Sequence, residues 1–143
     1  MLSTIERAAH EIGAYVEHAA SELGITQAEA HVLAQLTRRG PTAIGTLHRD
    51  FGRKRSTLTN ILDRLEQRSL VRRELNSDDR RSFVVHLTAC GARTGMRVTA
   101  VLDELERAVQ AAVTARDLRG LEAVAKALNA AVGHGSAEEA ELA

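Results

Sequence analysis

Apolar residues recur along most of this chain at alternating steps of three and four, the spacing that lines one face of an α-helix. In the first such stretch, over residues 3–23, the apolar face includes Ile5, Ile12 and Val16. The same spacing predicts further helices from Thr26 to Arg39, from Pro41 to Gly52, over 55–68, from Thr88 through Val113, and from Asp117 to Val132. Thr26 and Glu29 have the spacing of a capping box, which supports the start of the second helix.

The spacing changes to alternation between residues 70 and 87. Leu70–Leu75 and Ser82–Leu87 are predicted to be strands, and Asn76–Asp79 between them has the composition of a turn. Three compact helices followed by this hairpin predict a mainly α fold with a small β-hairpin wing, a winged helix-turn-helix. The helices at both ends carry apolar stripes that so small a head cannot bury alone, which favours a two-fold dimer.

Length and composition indicate one domain, 1–143. The chain is 44% hydrophobic and 27% charged, an ordinary globular composition. Within it we assign 26–88 to the winged region, 1–24 and 89–132 to dimerisation helices, and the small, polar residues 133–143 to a flexible tail. No apolar run is long enough to cross a membrane and no secretory signal is recognisable, so a cytoplasmic protein is expected.

The formal net charge of zero conceals an uneven distribution. From Arg38 to Arg81 there are 12 Lys/Arg and 6 Asp/Glu, a net charge of +6, whereas the rest of the chain has 7 and 13, a net charge of −6. A basic middle between acidic ends directs a polyanion to one face. The charge pattern therefore favours nucleic acid as a partner.

The start of the helix over 55–68 is the most informative segment. Three consecutive cations, Arg53, Lys54 and Arg55, oppose the helix dipole there, which costs roughly 0.3–1 kcal/mol each unless something negative binds. They precede Ser56, Thr57, Thr59 and Asn60, and recognition helices present such N-terminal side chains to the major groove. The alternative is a solvated helix face with a basic start, which the dipole cost disfavours.

The predicted hairpin tip carries Asp78, Asp79, Arg80 and Arg81. Arginines at a wing tip suit a narrow, electronegative minor groove. A polar turn with arbitrary charges is the alternative. The position of this tip just after a candidate recognition helix favours DNA contact.

Three motifs between Gly24 and Val98 resemble the MarR family of bacterial transcription regulators. Gly24-Ile25-Thr26-Gln27-Ala28-Glu29 resembles the family's second helix, and Arg55-Ser56-Thr57-Leu58-Thr59 with Leu62-Asp63-Arg64-Leu65-Glu66 and Leu70-Val71-Arg72-Arg73 resembles its recognition helix and first wing strand. Asp79-Arg80-Arg81 and Leu87-Thr88-Ala89-Cys90-Gly91 resemble its wing signature and the entry to its long dimerisation helix. The chain departs from the family pattern at Arg53 and Lys54, where an apolar residue and a cap are usual. It departs again at Ser69, where a glycine is usual; a left-handed backbone would strain that serine mildly.

The resemblance implies a homodimer whose two winged heads bind a pseudo-palindromic DNA operator. It implies major-groove contacts by Ser56, Thr57, Thr59 and Asn60. Arg55 is added as a fifth major-groove contact because arginine can read guanine. It implies a minor-groove contact by Arg81, held by Asp79, with Arg80 as the second choice. Arg53, Lys54, Arg64 and Arg73 are the predicted phosphate contacts. Many members repress a nearby gene and release DNA on binding a small lipophilic anion, for which Tyr15, His18, His31 and Arg97 are the candidate pocket residues.

Other chemistry has little support in the sequence. No HxxxH or HExxH pair occurs, no glycine-rich phosphate loop or nucleophile–base pattern is present, and Cys90 has no second cysteine. We therefore predict no cofactor, no metal and no enzymatic activity, and a structural thiol at Cys90. The predicted function is a sequence-specific transcriptional regulator, with an effector left open. The alternatives are a winged-helix module that binds a protein, or an architectural DNA binder without sequence preference.

Overall fold

The chain is mainly helical, with one small antiparallel sheet. The computed structural model describes the backbone of residues 1–52 and 55–141 and the side chains of 1–52 and 55–132. In chain order the elements are α1 (Leu2–Glu22), α2 (Gln27–Arg39), β1 (Thr42–Ala43), α3 (Ile44–Phe51), α4 (Arg55–Gln67), β2 (Val71–Leu75), β3 (Phe83–Leu87), α5 (Ala89–Ala112) and α6 (Ala115–Glu141). This architecture confirms the predicted fold class. No helix among the described residues is both long and apolar enough to span a bilayer.

The sheet has three strands in the order β1-β3-β2, one more than the predicted hairpin. β2 and β3 pair antiparallel from Val71↔Leu87 to Leu75↔Phe83. The added strand, β1, pairs Thr42 with Val85 and Ala43 with Val84. The prediction of a helix from Pro41 was therefore wrong at its start, because a two-residue strand has no periodicity of its own and is formed by pairing with β3.

Helix caps are encoded locally, and one was predicted correctly. The Thr26 hydroxyl accepts from the Glu29 amide at 3.2 Å, and a Glu29 carboxylate oxygen accepts from the Thr26 amide at 3.0 Å. Thr114 and Asp117 form a similar pair at the start of α6, where the Thr114 amide donates to the Asp117 carboxylate at 2.9 Å. The last helix therefore begins at Ala115, two positions before the predicted Asp117. Hydrogen bonds from Thr114 also lower the pKa of Asp117.

One apolar cluster fixes the winged region. Its fully buried side chains come from α2, α3 and α4 and include Leu33, Leu36, Leu47, Leu58, Leu62 and Leu65. Val16 and Ala20 of α1, Val71 and Val85 of the sheet and Val98 of α5 belong to the same cluster. Each such side chain contributes roughly 1.5–3 kcal/mol when removed from water.

The chain divides into two compact units, Met1–Glu104 and Leu105–Ala143, whereas one domain was predicted. None of the described side chains of the second unit is buried, and Val109, Leu121 and Val132 are exposed. Among its described side chains, the second unit therefore has no buried apolar core of its own.

The last helix also continues past its predicted end. α6 runs to Glu141, so the backbone of 133–141 is helical where a tail was predicted from Gly133 onward. Alanine and glutamate, which dominate residues 137–141, are good helix formers and offset the cost of the preceding glycines.

Two glycines let the first half of α5 contact its neighbours backbone to backbone. A Cβ at Gly91 would overlap the carbonyl oxygen of Leu70, and one at Gly95 would overlap the Thr37 hydroxyl and lie 3.2 Å from the Leu33 carbonyl oxygen. Both glycines are buried. Their missing side chains set how closely α5 approaches β2 and α2.

We expect Gly91→Ala to lower the free energy of unfolding by about 1–3 kcal/mol, because the added methyl group must displace a backbone carbonyl. Gly45→Ala in α3 is the matched control, since a Cβ there meets nothing within 4 Å. Urea denaturation of both variants at one protein concentration measures the difference. Equal stabilities of the two variants would contradict the close approach of α5 to Leu70.

Candidate nucleic-acid interface

The helix α4 has two chemically different faces. Leu58, Ile61, Leu62 and Leu65 are buried on one face. The other face presents the exposed side chains of Arg55, Ser56, Thr59 and Asn60, with Thr57 half-buried at its edge. Because the apolar face is buried, the residues predicted to read bases are exposed on the opposite face of the same helix.

Within this exposed face, the Thr59 hydroxyl donates to the carbonyl oxygen of Arg55 at 2.9 Å. This bond fixes the hydroxyl oxygen as an acceptor toward an incoming donor. The predicted phosphate contacts Arg53 and Lys54 lie outside the described residues.

The tip of the hairpin between β2 and β3 is held by its own backbone and turn side chains. The Asn76 amide donates to the Ser82 carbonyl at 3.0 Å, and the Asp78 amide donates to the Asn76 side chain at 3.1 Å. The Arg81 amide donates to the Asp79 carboxylate at 3.0 Å. The Asp79 side chain thus holds the backbone of Arg81. The prediction that Asp79 holds Arg81 did not say whether the backbone or the side chain is bound.

The guanidinium groups at this tip are available to a partner. Arg80 and Arg81 are both exposed, and neither forms an ion pair with any of the residues described. The wing tip therefore presents two arginine side chains without an ion-pair partner among the described residues, although Asp78 and Asp79 beside them bring the formal charge of the tip to zero.

The exposed Arg64 of α4 is partly committed to an internal ion pair. Its Nε lies 3.4 Å from Oε1 of Glu29, whose side chain is only 4% exposed. Arg68 lies 3.7 Å from the other Glu29 oxygen and also donates to the Gly24 carbonyl. The sequence indicated Glu29 as a capping residue alone; the structure shows that it also ties α2 to α4.

Arg73 is enclosed by two carboxylates of α4, which occupy its guanidinium and disfavour the predicted phosphate contact. Its Nε donates to Glu66 at 3.0 Å and a terminal nitrogen donates to Asp63 at 2.7 Å and to Glu66. The Arg73 amide also donates to Glu66 at 3.2 Å. These three residues, named here the Arg73 cluster, carry a formal charge of −1, which repels a phosphate.

Hydrogen bonds within the Arg73 cluster shift the pKa values of Glu66 and Arg73. Hydrogen bonding from the Arg73 side chain lowers the pKa of Glu66, and hydrogen bonding to Glu66 raises the pKa of Arg73. Glu66 therefore stays charged at neutral pH, where it keeps its hydrogen bonds with Arg73.

The connection from α4 to β2 passes through a left-handed residue. Ser69 has φ +56°, in the left-handed region of the backbone. A side chain is mildly strained there, which is the strain expected if a serine replaces the glycine usual at this position. The Ser69 carbonyl accepts from the Thr88 hydroxyl at 2.6 Å, and the same hydroxyl accepts from the Gly91 amide at 2.9 Å. Thr88 thus caps α5, as predicted, and also fixes the turn after α4.

The predicted effector residues do not line one pocket within the protomer. An open cavity of about 470 Å³ is lined by His31, Ala34, Gln35, Arg38, Arg39, Asp50, Phe51 and Leu102. Tyr15, His18 and Arg97 are exposed and do not line it. Spacing along α1 and α5 could not reveal which residues face this cavity, because its wall comes mostly from α2.

The ionic groups of this cavity are paired with one another or with α5. Arg39 contacts Asp50 at 2.7 Å, and Arg38 contacts Asp103 at 2.6 Å. Elsewhere, Cys90 is exposed. The described part of the chain contains no group of three potential metal-ligating side chains.

Comparison with known proteins identifies relatives of the winged region. The MarR family model matches residues 25–83. The transcriptional repressor MdtR of Bacillus subtilis is 37% identical over 65 residues, which is 46% of this chain and 42% of MdtR. The uncharacterised regulator YfiV of the same organism is 34% identical over 67 residues, 47% of this chain and 42% of YfiV. The aligned region thus spans less than half the length of these curated relatives.

Solved structures match the fold over most of the chain. The regulator MarR from Oenococcus oeni has a TM-score of 0.80 at 19% identity and covers 88% of this chain and 96% of its own. MepR of S. aureus in its DNA-binding conformation has a TM-score of 0.82 at 20% identity, covering 92% and 98%. A MepR–DNA complex has a TM-score of 0.79 at 19% identity, covering 92% and 97%. At these identities the likeness establishes the winged-helix fold.

Lowering the pH should lower the free energy of unfolding, partly because Glu66 becomes protonated. Its pKa in the folded state lies below the ordinary value of 4.5, so its contribution to stability is present above that value and is lost as pH falls through the folded pKa. We expect Glu66→Gln to be less stable than the wild type at pH 7 and to lose less stability between pH 5 and 3. Urea denaturation across this range measures the effect, and parallel stability curves for the two proteins would argue against it.

Proposed function

We propose that this chain is a member of the MarR family, whose model matches residues 25–83, and that it is a sequence-specific DNA-binding regulator of transcription that acts as a homodimer. The observation that carries the proposal is the pair of outward features on one compact unit. The exposed polar face of α4 and the unpaired arginines of the wing both belong to the unit Met1–Glu104. Two such features match the two grooves of duplex DNA.

The proposed contacts fall into three groups. Arg55, Ser56, Thr57, Thr59 and Asn60 read bases in the major groove, where Arg suits guanine and Asn suits adenine. Arg81, with Arg80 second, enters the minor groove, and Asp79 orients the tip through the backbone of Arg81. Arg53, Lys54 and Arg64 contact phosphates, and Arg73 is removed from this group because its charge is already neutralised.

The dimer is supported by apolar surface that one protomer leaves uncovered. Leu2 and Ile12 of α1 are exposed, as are Leu118 and Leu121 of α6. Exposed apolar helix faces of this kind are usually buried against a second copy. A two-fold pair of heads would bind a pseudo-palindrome whose half-sites lie about 34–36 Å apart, one helical turn.

Repression of a nearby gene is the proposed direction of regulation, supported by the name of the B. subtilis relative, a transcriptional repressor. Release by a small-molecule effector is part of the proposal, and the cavity lined by His31, Phe51 and Leu102 offers space for one. The proposed function is binding without a catalytic step or cofactor, and the proposed location is the cytoplasm.

We expect the purified protein to enrich one sequence class from a random duplex library. It should bind that duplex roughly 10³–10⁷ times more tightly than a scrambled duplex at physiological salt. Titration of both duplexes at two salt concentrations measures the preference. Equal and steeply salt-dependent binding would indicate an architectural DNA binder, and absence of binding to either duplex would favour a protein-binding module.

We expect Arg81→Ala to weaken binding to the enriched duplex by roughly 1–3 kcal/mol, because a minor-groove contact is lost. The loss should be largest for sites with a narrow minor groove. Arg7→Ala, an exposed charge on α1, is the matched control for the change in net charge. Unchanged binding by Arg81→Ala would remove the wing from the interface.

A further inference from the structure

We propose that Arg73 is a positioning residue that ties the recognition helix α4 to the wing, so that the major-groove and minor-groove contacts are made as one unit. This inference rests on the proposed DNA-binding function and assigns part of its specificity to a residue that touches no base. The Arg73 cluster joins the middle of α4 to the middle of β2, the first strand of the wing.

The geometry of the cluster suits a rigid connection. The Arg73 guanidinium uses Nε and a terminal nitrogen to reach Glu66 and Asp63, at 3.0 and 2.7 Å, respectively. Its own amide donates to the second oxygen of Glu66 at 3.2 Å. Both the side chain and the backbone of β2 are therefore held by α4. The planar guanidinium fork can bridge two carboxylates in a fixed orientation, which an ammonium group cannot do.

The position of the cluster explains why this connection affects recognition. Asp63 and Glu66 lie one and two turns beyond Thr59 on α4. On the other side, Arg73 lies opposite Val85 in the ladder, and the two strands run on to the tip that carries Arg80 and Arg81. Backbone hydrogen bonds from Ser69 and Leu70 hold the connecting turn, and the bonds of the Arg73 cluster are the further polar contacts between α4 and β2 among the described residues.

The competing interpretation is a direct phosphate contact by Arg73. Its side chain is 24% exposed, and the two carboxylates around it leave the cluster with a formal charge of −1. The two interpretations predict opposite outcomes for conservative substitutions. A lysine keeps the charge and can still bind a phosphate, but its single nitrogen lacks the planar fork that holds Asp63 and Glu66 in one fixed orientation.

The test compares Arg73→Lys, Arg73→Gln and Glu66→Gln with the wild type. Arg72→Gln is the matched control, because Arg72 carries the same charge on the same strand and pairs with Glu74. Binding of the enriched and scrambled duplexes is titrated at several salt concentrations. In parallel, amide hydrogen exchange of residues 71–87 is measured without DNA, and thermal unfolding identifies any variant that fails to fold.

We expect Arg73→Lys and Glu66→Gln each to lower the preference for the enriched duplex by about tenfold, the effect of losing one charge-assisted hydrogen bond. Binding to scrambled DNA and its salt dependence should stay as in the wild type. Hydrogen exchange in the wing should accelerate by about tenfold in both variants and should not change in Arg72→Gln.

The proposal is overturned if Arg73→Lys binds both duplexes like the wild type while Arg73→Gln weakens both and reduces the salt slope by about 0.9, the signature of one lost phosphate contact. It is also overturned if Glu66→Gln tightens binding or leaves hydrogen exchange in the wing unchanged. A wild-type protein without any preference for the enriched duplex would instead refute the proposed function. In that case the exchange measurement alone decides whether Arg73 ties the wing to α4.

Discussion

The burial of one face of α4 is the constraint on which the rest of the winged region depends. Leu58, Ile61, Leu62 and Leu65 enter the apolar cluster and leave no rotational freedom to the helix. Asn60 and Thr59, next to them in sequence, must then face water. Burial of the apolar face thus leaves the polar face exposed, and in the proposed function the same helix both stabilises the core and contacts DNA.

Two ionic ties add direction to this apolar packing. Glu29 connects α2 to Arg64 and Arg68 near the end of α4, and the Arg73 cluster connects the same helix to the wing. A single buried or half-buried ion pair contributes little net stability, since desolvation opposes the attraction. Its larger effect is geometric, because it selects one arrangement among packings that apolar contacts alone would tolerate.

The sequence predicted most of the fold, and the failures have identifiable physical causes. The helices, the hairpin strands and the Thr26 cap follow from local periodicity and capping chemistry, whereas the expectation at Ser69 came from the glycine that the resembling family has there. The strand β1 depends on pairing with Val85, which lies 43 positions after Thr42 and has no local signal. Arg73 was predicted to contact phosphate because it is a basic residue in a basic segment. Its carboxylate partners Glu66 and Asp63 lie seven and ten positions earlier, and only folding brings them beside it. The effector residues were chosen from their chemical types, and the cavity wall is set instead by how α2 packs against α3 and α5.

The two-residue strand β1 has a consequence for the behaviour of the sheet in solution. A wing built from two strands would expose the outer edge of β3, with free backbone groups at Val84 and Val85, as a template for another chain. Thr42 and Ala43 occupy that edge next to the apolar cluster. The two edges of the sheet are then β1, which at two residues is too short to pair stably with another chain, and β2, where the exposed charges of Arg72 and Glu74 discourage strand addition. The exposed hairpin, which we propose to be the DNA-binding wing, is thereby protected from forming intermolecular β-sheet when no DNA is bound.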